Sequence, residues 1–365
     1  MLQSAPPRFP SGPARACAAL LAVLVLAAML GGCSTLGFYH QAIAGQLDIW
    51  RRERPIERVL ADESVPAHTR ERLALTVRAR AFAADTLGLP SEGSYRTYAD
   101  LERPYVVWNV FAAPTLALEP VQSCFPFAGC LDYRGYFARA DAERHAATLR
   151  AVGNDVYLGG VAAYSTLGWF DDPVLNTFLG WDEADLVELL FHELAHQRLY
   201  IADDSAFNES YASAVAAAGL DQWFVQQGQA TARVRTVRAA RRAMTERILA
   251  ARAALAAIYA GTMPDERKLA AKQAALAALA ADLAGLAAQH GLPEAPAQPW
   301  NNARVLAVAT YHDHVAAFHT LLALVDGDWT RFHAAAARIG ALAAAARTRC
   351  LLDLAATEAL PPCAG

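Results

Sequence analysis

The sequence lacks a basic patch interleaved with aromatic side chains. It contains 32 Lys and Arg against 36 Asp and Glu, a formal net charge of −4, and only 9% of its residues are aromatic. Because surfaces that bind nucleic acid are strongly basic, this balance argues against nucleic acid as a partner. Alanine and other strong helix formers are abundant instead, which favours a mostly helical protein.

Long apolar runs are scarce, and the run at residues 16–30 is too short for an ordinary membrane-spanning helix. It follows a positively charged segment and has the proportions of a signal peptide. The closing Leu30-Gly31-Gly32-Cys33 resembles a bacterial lipobox. That resemblance implies removal of residues 1–32, lipidation of Cys33 and, with Ser34 next to it, sorting to the outer membrane facing the periplasm. A plain secretory signal or an uncleaved anchor is the alternative.

Cysteine pairs of the CxxC type are absent, so zinc binding by cysteine is the weaker interpretation. Apart from Cys17 in the apolar run and Cys33, the chain has Cys124, Cys130, Cys350 and Cys363. An even number of cysteines in an oxidising compartment predicts disulfides. Three connectivities are open, and the nearest-neighbour one joins Cys124 to Cys130 and Cys350 to Cys363.

The sequence does contain an HExxH pentapeptide, from His192 to His196. It lies in the stretch Asp185–Tyr200, whose apolar spacing predicts a helix. Residues four apart lie about 40° apart around a helix, so both imidazoles leave the same face. They are spaced to bind one Zn²⁺, with Glu193 beside them as the general base.

A catalytic zinc takes three protein ligands and leaves one position open for water. After Tyr200 the residues at 202–205 are typical of a turn, and a second helix is predicted over Phe207–Ala218 with Gly219 as its stop. A helical hairpin would return Glu209 to the first helix as the third ligand. Asp203 and Asp204 compete with it, although they fit turn and cap positions better.

These residues resemble the gluzincin metallopeptidases, in which a glutamate on a following helix is the third ligand. The interval between His196 and Glu209 is shorter than in the thermolysin-like and M1 members. A closer resemblance is to the bacterial "putative aminopeptidase" lipoprotein family. It rests on YRGYF at 133–137, GGVAAYSTLGWFDDP at 159–173 and FHELAHQ at 191–197.

The gluzincin resemblance implies that a Tyr or His outside the HExxH helix stabilises the oxyanion. Tyr164 and Tyr311 are the candidates, with His312 and His314 behind them. For substrate binding the candidates are Asn208 and Asn301, each of which is equally explained as a helix cap.

The predicted fold is α+β and mostly helical, a zincin-like core with a small β-sheet and an inserted antiparallel helical hairpin. Strands are expected within Tyr95–Thr115 and Asp155–Phe170, the second resembling the edge strand on which zincins bind substrate backbone. Helices are expected at Glu57–Leu87, Ala140–Val152, Trp300–Leu324 and Trp329–Leu354. The predicted organisation is a signal peptide (1–32), a catalytic region (33–232), the hairpin (233–290) and C-terminal helices that complete the catalytic domain (291–365).

The predicted function is hydrolysis of peptide bonds by a lipid-anchored peptidase with one Zn²⁺ per chain. Aminopeptidase specificity follows from the family resemblance alone, because the GxMEN string of M1 aminopeptidases is absent. Two alternatives stay open. One is an endopeptidase dedicated to one envelope protein, and the other is a non-catalytic scaffold. The oligomeric state is undetermined.

Overall fold

The computed structural model describes residues 37–90, 92–125, 129–163, 171–228, 232–293, 298–309, 314–356 and 360–364. The chain divides into two compact units, 1–48 and 49–365. Of the first unit, residues 37–48 are described, and they are helical. The second unit holds every element discussed below except residues 37–48 of the first helix.

Helices dominate the described residues, and the strands are short, which confirms the predicted mostly helical α+β class. The helices are α1 (37–52), α2 (Ile56–Ala61), α3 (Ala67–Asp85), α4 (Arg139–Ala151), α5 (Asn176–Leu179), α6 (Glu183–Arg198), α7 (Ser205–Gln226), α8 (Ala232–Ala260), α9 (Asp265–His290), α10 (Asn302–Ala309), α11 (Val315–Leu324), α12 (Trp329–Gly340) and α13 (Ala344–Ala355). The strands are β1 (Arg54–Pro55), β2 (Thr97–Ala99), β3 (Val107–Pro114), β4 (Ser123–Phe125), β5 (Gly129–Leu131), β6 (Tyr133–Tyr136), β7 (Asn154–Val161) and β8 (Val174–Leu175).

The strands form three small sheets with the orders β1-β2-β8, β6-β3-β7 and β4-β5. In the largest, β3 pairs antiparallel with both neighbours, and Phe111 lies opposite Tyr133 on one side and Tyr157 on the other. The strands predicted within Tyr95–Thr115 are therefore confirmed. Of Asp155–Phe170, the first part is β7, whereas residues 164–170 lie outside the described residues.

The helix predicted over Glu57–Leu87 is two helices, because the chain turns at residues 62–66. The Asp62 carboxylate accepts hydrogen bonds from the backbone N–H and the hydroxyl of Ser64. Side-chain bonds of this kind compete with helix continuation. Pro66 then precedes the first turn of α3. The spacing of apolar residues is typical of a helix on both sides of the turn, so it did not reveal this break.

Gly219 does not stop α7 as predicted; the helix continues to Gln226. A Cβ at Gly219 would lie 2.5 Å from Leu87 Cδ1 and 3.0 Å from Phe191 Cδ2. The glycine therefore permits close approach of α7 to α6 and to the end of α3. Beyond it, Trp223 packs edge-on against Phe82 in the core, with 5.3 Å between ring centroids.

The pair of closing helices predicted at the C-terminus is four helices, α10 to α13. The second predicted helix breaks after Gly340, where Arg347 of α13 donates to the carbonyls of Gly340 at 2.8 Å and Leu342 at 3.0 Å. These bonds satisfy carbonyls that the end of α12 leaves without a helical partner. Residues 310–313, between α10 and α11, lie outside the described residues.

Arg347 also forms an ion pair with Asp204, Nε to Oδ2 at 2.7 Å, and its side chain is 8% exposed. Replacing Arg347 by methionine should destabilise the protein by about 3 kcal/mol, because Asp204 loses its ion-pair partner and two carbonyls lose their donor. Chemical denaturation would measure this loss. Arg349→Met, on an exposed position of the same helix, is the control and should change stability little. Equal effects of both changes would contradict the assignment.

His333 of α12 is buried between α7 and the end of α3. Its Nε2–H donates to the Leu87 carbonyl at 2.8 Å, and its Nδ1 accepts from the Tyr211 hydroxyl at 2.7 Å. Burial lowers the pKa of His333, and it does the same for His145 and His319. All three therefore resist protonation in the folded state.

We expect stability to fall as the pH drops below about 6.5, because the unfolded chain then binds protons that the folded chain excludes. Above that pH the contribution of the neutral histidines is complete. The unfolding free energy measured from pH 5 to 8 would show this slope. The change of unfolding free energy with pH should be smaller in His333→Gln, because one of the three buried histidines is removed. It should be unchanged in His68→Gln, at an exposed position.

The predicted hairpin is confirmed as α8 and α9, joined by a four-residue turn and packed on each other. Leu255, Leu276, Leu279 and Leu283 form its buried contact. Lys272 of α9 donates to the Asp155 carboxylate at 2.6 Å and to the Thr115 carbonyl at 2.8 Å, which connects α9 to the sheet.

By length and composition alone, α9 is apolar enough to cross a membrane, a property that it shares with core helices of soluble proteins. The predicted domain boundaries stay a prediction.

Both nearest-neighbour disulfides are present. Cys124 is bonded to Cys130 across the β4–β5 hairpin, and Cys350 of α13 is bonded to Cys363. The two remaining connectivities are thereby excluded. The second disulfide holds the C-terminal segment against the helix that carries Arg347.

Candidate metal centre

Helix α6 carries the HExxH pentapeptide and is fixed at both its start and its buried face. The Asp182 carboxylate accepts the Asp185 N–H at 2.9 Å, which caps the first turn. Leu186, Leu190 and Leu194 are fully buried, so they hold one face in the core. The opposite side presents His192 and His196, whose side chains are 21% and 5% exposed.

The turn after α6 reverses the chain, so that α7 packs against α6. Asn208 closes it, since its amide donates to the Ile201 carbonyl and accepts from the Ile201 N–H, both at 2.7 Å. Asp204 caps α7 by accepting the Phe207 N–H at 2.9 Å. Helices α6 and α7 then pack closely side by side, with Glu209 in the first turns of α7 facing the two histidines.

His192, His196 and Glu209 form a group that can hold a metal ion, with one ligand atom from each within 4.8 Å of the others. The two Nε2 atoms lie 3.1 Å apart, and the carboxylate oxygens lie 3.2 Å from His192 Nε2 and 3.7 Å from His196 Nε2. Four ligands about 2.0–2.1 Å from a zinc ion are about 3.3 Å apart when tetrahedral. The three separations lie within about 0.4 Å of that value, with Oε2 of Glu209 the oxygen near His192 and Oε1 the oxygen near His196.

An orphaned polar atom in the group supports the same fit. Glu209 Oε2 is buried and accepts no hydrogen bond within the described part of the chain. A buried carboxylate oxygen without a donor is costly, and a cation would remove that cost. Asp203 and Asp204 lie in the turn before α7, and neither belongs to the group. Their predicted roles as turn and cap residues are confirmed, with Asp203 at φ +61°.

The charges of the group are strongly coupled. Burial opposes ionisation of Glu209, but the close imidazoles of His192 and His196 outweigh it and lower its pKa to about 2. Burial likewise disfavours protonated His192, yet the nearby carboxylates of Glu209, Glu193 and Glu188 raise its pKa. Glu209 is thus ionised at neutral pH, as a metal ligand must be.

Glu193, between the two histidines, is half-buried, and the phenol of Tyr95 lies in its electrostatic range. Burial, and after it the charge of Glu193, raises the pKa of Tyr95 well above its ordinary value. Tyr95 adopts φ +61°, and its N–H donates to the Asp172 carbonyl at 2.6 Å. Its neighbour Ser94 accepts from Gln197 of α6 at 2.8 Å. Nothing local in the sequence signals this approach, so the sequence analysis missed Tyr95.

Neither predicted substrate-binding asparagine has its amide directed to substrate. Asn208 is 1% exposed, and both amide atoms are used within the turn. Asn301 accepts the Arg304 N–H at 2.9 Å as a cap of α10 and donates to the Val156 carbonyl at 3.1 Å. Local polar groups thus use both amides, and the predicted substrate contacts stay a prediction.

The outer edge of β7 is covered where the sequence suggested a place for substrate backbone. Gln298 bonds both backbone groups of Leu158, donating to its carbonyl at 2.8 Å and accepting its N–H at 3.4 Å. The Asn301 amide donates to the Val156 carbonyl at 3.1 Å. A peptide cannot add to β7 at these positions without displacing two side chains that come from far along the chain.

Several predicted residues lie outside the described residues, namely Tyr164, Tyr311, His312 and the lipidation candidate Cys33. His314 is described and begins α11; its backbone N–H donates to the Ser210 hydroxyl at 3.0 Å. It is not in the group that can hold a metal. The oxyanion candidates therefore stay predictions.

A family described as "Putative aminopeptidase" matches residues 37–351, which contain the elements from α1 to α12, most of α13 and the whole metal-binding group. No curated protein and no solved structure matches the chain. Residues 37–351 are most of the chain, so the match is not confined to the HExxH helix. The chain therefore belongs to the "Putative aminopeptidase" family, whose members are peptidases and hence hydrolases that act on peptides or proteins.

Proposed function

We propose that the chain is a zinc-dependent peptidase with a zincin-like catalytic core. The observation that carries the proposal is the convergence of His192, His196 and Glu209 at separations close to those of a tetrahedral site, with Glu193 between the two histidines. Two nitrogens and one carboxylate oxygen are the donor set of catalytic zinc sites that keep a fourth position open. A purely structural zinc site has four protein ligands and no use for a general base.

The chemistry divides between the ion and the chain. A zinc ion, when bound, supplies Lewis acidity and lowers the pKa of water towards about 7. Glu193 accepts the proton of the water that attacks the scissile carbonyl, and it then donates that proton to the leaving amine. His192, His196 and Glu209 hold the ion. The phenol of Tyr95, which is buried within the electrostatic range of Glu193, is the candidate donor to the developing oxyanion.

We further propose that Cys33 is the lipidated first residue of the mature protein and that the enzyme faces the periplasm from the outer membrane. The two disulfides support an oxidising compartment, since such bonds persist outside the cytosol. Labelling with a radioactive or clickable fatty acid would test the anchor. Label that is absent from Cys33→Ser but present in Cys17→Ser is the expected result.

Hydrolysis of a mixed peptide library tests the proposed activity. Purified full-length protein in detergent, loaded with zinc, is incubated with peptides of which half are acetylated at the N-terminus. Cleavage that stops with a chelator and returns with zinc supports the proposal. Cleavage of both halves would identify an endopeptidase. No cleavage by folded, zinc-loaded protein would contradict a general peptidase and favour a dedicated substrate or a scaffold.

A further inference from the structure

Glu188 lies one helical turn before His192 on α6, a position that the proposed mechanism leaves unused. Side chains four residues apart on a helix leave the same face, with about 5–6 Å between their Cβ atoms. Glu188 therefore leaves α6 on the same face as His192, one helical turn before it.

The Glu188 side chain is 30% exposed, and its nearest cation among the described residues is Arg238 Nε of α8, at 3.8 Å. That guanidinium bonds primarily to Asp221, at 2.6 Å. Burial raises the pKa of Glu188, and Arg238 offsets this only in part. A separation of 3.8 Å is too long for a hydrogen bond, so a closer cationic donor can replace this ion pair.

The ion pairs around Glu188 leave one negative charge uncompensated. Arg241 bonds to Asp185 at 2.8 Å, and Arg238 bonds to Asp221. Three carboxylates, counting Glu188, thus face two guanidinium groups. The region beside the histidines therefore favours a cationic ligand group over an anionic one.

The position of Glu188 along α6 suits the amino group at the end of a peptide. The α-nitrogen of an N-terminal residue lies two bonds, about 2.5 Å, from the carbonyl carbon that is attacked. A residue that binds this nitrogen must therefore lie close to the metal-binding histidines. Glu188 lies one helical turn, about 5.4 Å along the axis, before His192, whereas a residue two turns away would lie about 10.8 Å before it.

We propose that Glu188 binds the α-ammonium group of the substrate, so that the enzyme selects peptides with a free N-terminus. This inference rests on the proposed peptidase function. It supplies a carboxylate that no aminopeptidase sequence motif in this chain provides. A charge-assisted hydrogen bond between Glu188 and an ammonium should strengthen binding about ten- to a hundredfold over the N-acetylated peptide.

Binding to an inactive protein separates this inference from catalysis. Full-length Glu193→Gln protein, loaded with zinc, is titrated calorimetrically with a dipeptide amide and with its N-acetyl form. We expect the free amine to bind at least about tenfold more tightly. Adding Glu188→Gln should remove that preference without changing zinc content. Adding Glu246→Gln, an exposed acid on α8, should leave the preference intact.

Arg238→Met should change the preference for the free amine in the opposite direction. It removes the cation that competes for Glu188, so preference for the free amine should increase. Glu188→Asp, which keeps the charge, should retain part of the preference if Glu188→Gln proves poorly folded. Equal binding of both peptides by the Glu193→Gln protein, or an unchanged preference in the Glu188→Gln variant, overturns the inference.

The hydrolysis experiment keeps the two proposals distinguishable. Chelator-sensitive cleavage by the unmodified protein together with no amine preference in binding refutes only the role of Glu188. Amine preference lost in Glu188→Gln, with no hydrolysis by the unmodified protein, supports the role of Glu188 in binding and refutes the peptidase function.

Discussion

Glu193→Gln is expected to lower the rate of peptide hydrolysis by about 10²–10⁴-fold while zinc content and stability stay at the level of the unmodified protein. Glutamine has nearly the same shape as glutamate, so the helix and the positions of His192 and His196 should not change. It cannot accept the proton of the attacking water. The measurement is kcat on a peptide that the unmodified protein cleaves, with metal analysis of both proteins.

The control for this change is Glu246→Gln, the same chemical substitution on an exposed part of α8. It should leave kcat unchanged. Retention of most activity by Glu193→Gln would contradict general-base catalysis by Glu193. In that case another group would have to take the proton, and the phenol of Tyr95 would be the first to replace.

Glu209→Gln is expected to weaken zinc binding by at least about a hundredfold, since losing even an outer-shell partner of a metal ligand costs 10–100-fold. The carboxylate supplies the only negative charge among the three donors. It is also the one whose Oε2 is buried without a hydrogen-bond donor among the described residues. Competition with a fluorescent zinc chelator would measure the affinity, and activity should fall in parallel.

Asp203→Asn is the matched control, because Asp203 was the competing ligand in the same turn. Asparagine tolerates the left-handed backbone at this position, φ +61°, so the turn should be preserved. Zinc affinity should not change. A loss of affinity in Asp203→Asn, with retention in Glu209→Gln, would transfer the third-ligand role to the turn and contradict the structure.

Local sequence was sufficient for features that depend on spacing within one element. The two histidines leave one face of α6 because they are four residues apart, and that relation holds in any helix. The disulfide pairing followed sequence proximity, and the α8–α9 hairpin followed its apolar spacing and its turn. The third ligand was predictable for a similar reason. A short turn between two helices limits which residues of the second return to the first.

Tertiary contacts decided the rest, because they join residues whose separation in sequence carries no signal. Gly219 continues a helix that its residue type suggested it would end, since close packing against Leu87 and Phe191 requires a residue without a side chain. Gln298 and Asn301 cover the edge of β7 from far along the chain. The approach of Tyr95 to Glu193, and of Arg238 to Glu188, depends on segments brought together by the core. The sequence alone was enough to identify the group that can hold a metal and Glu193 beside it, whereas only the packing of distant segments determined what surrounds them.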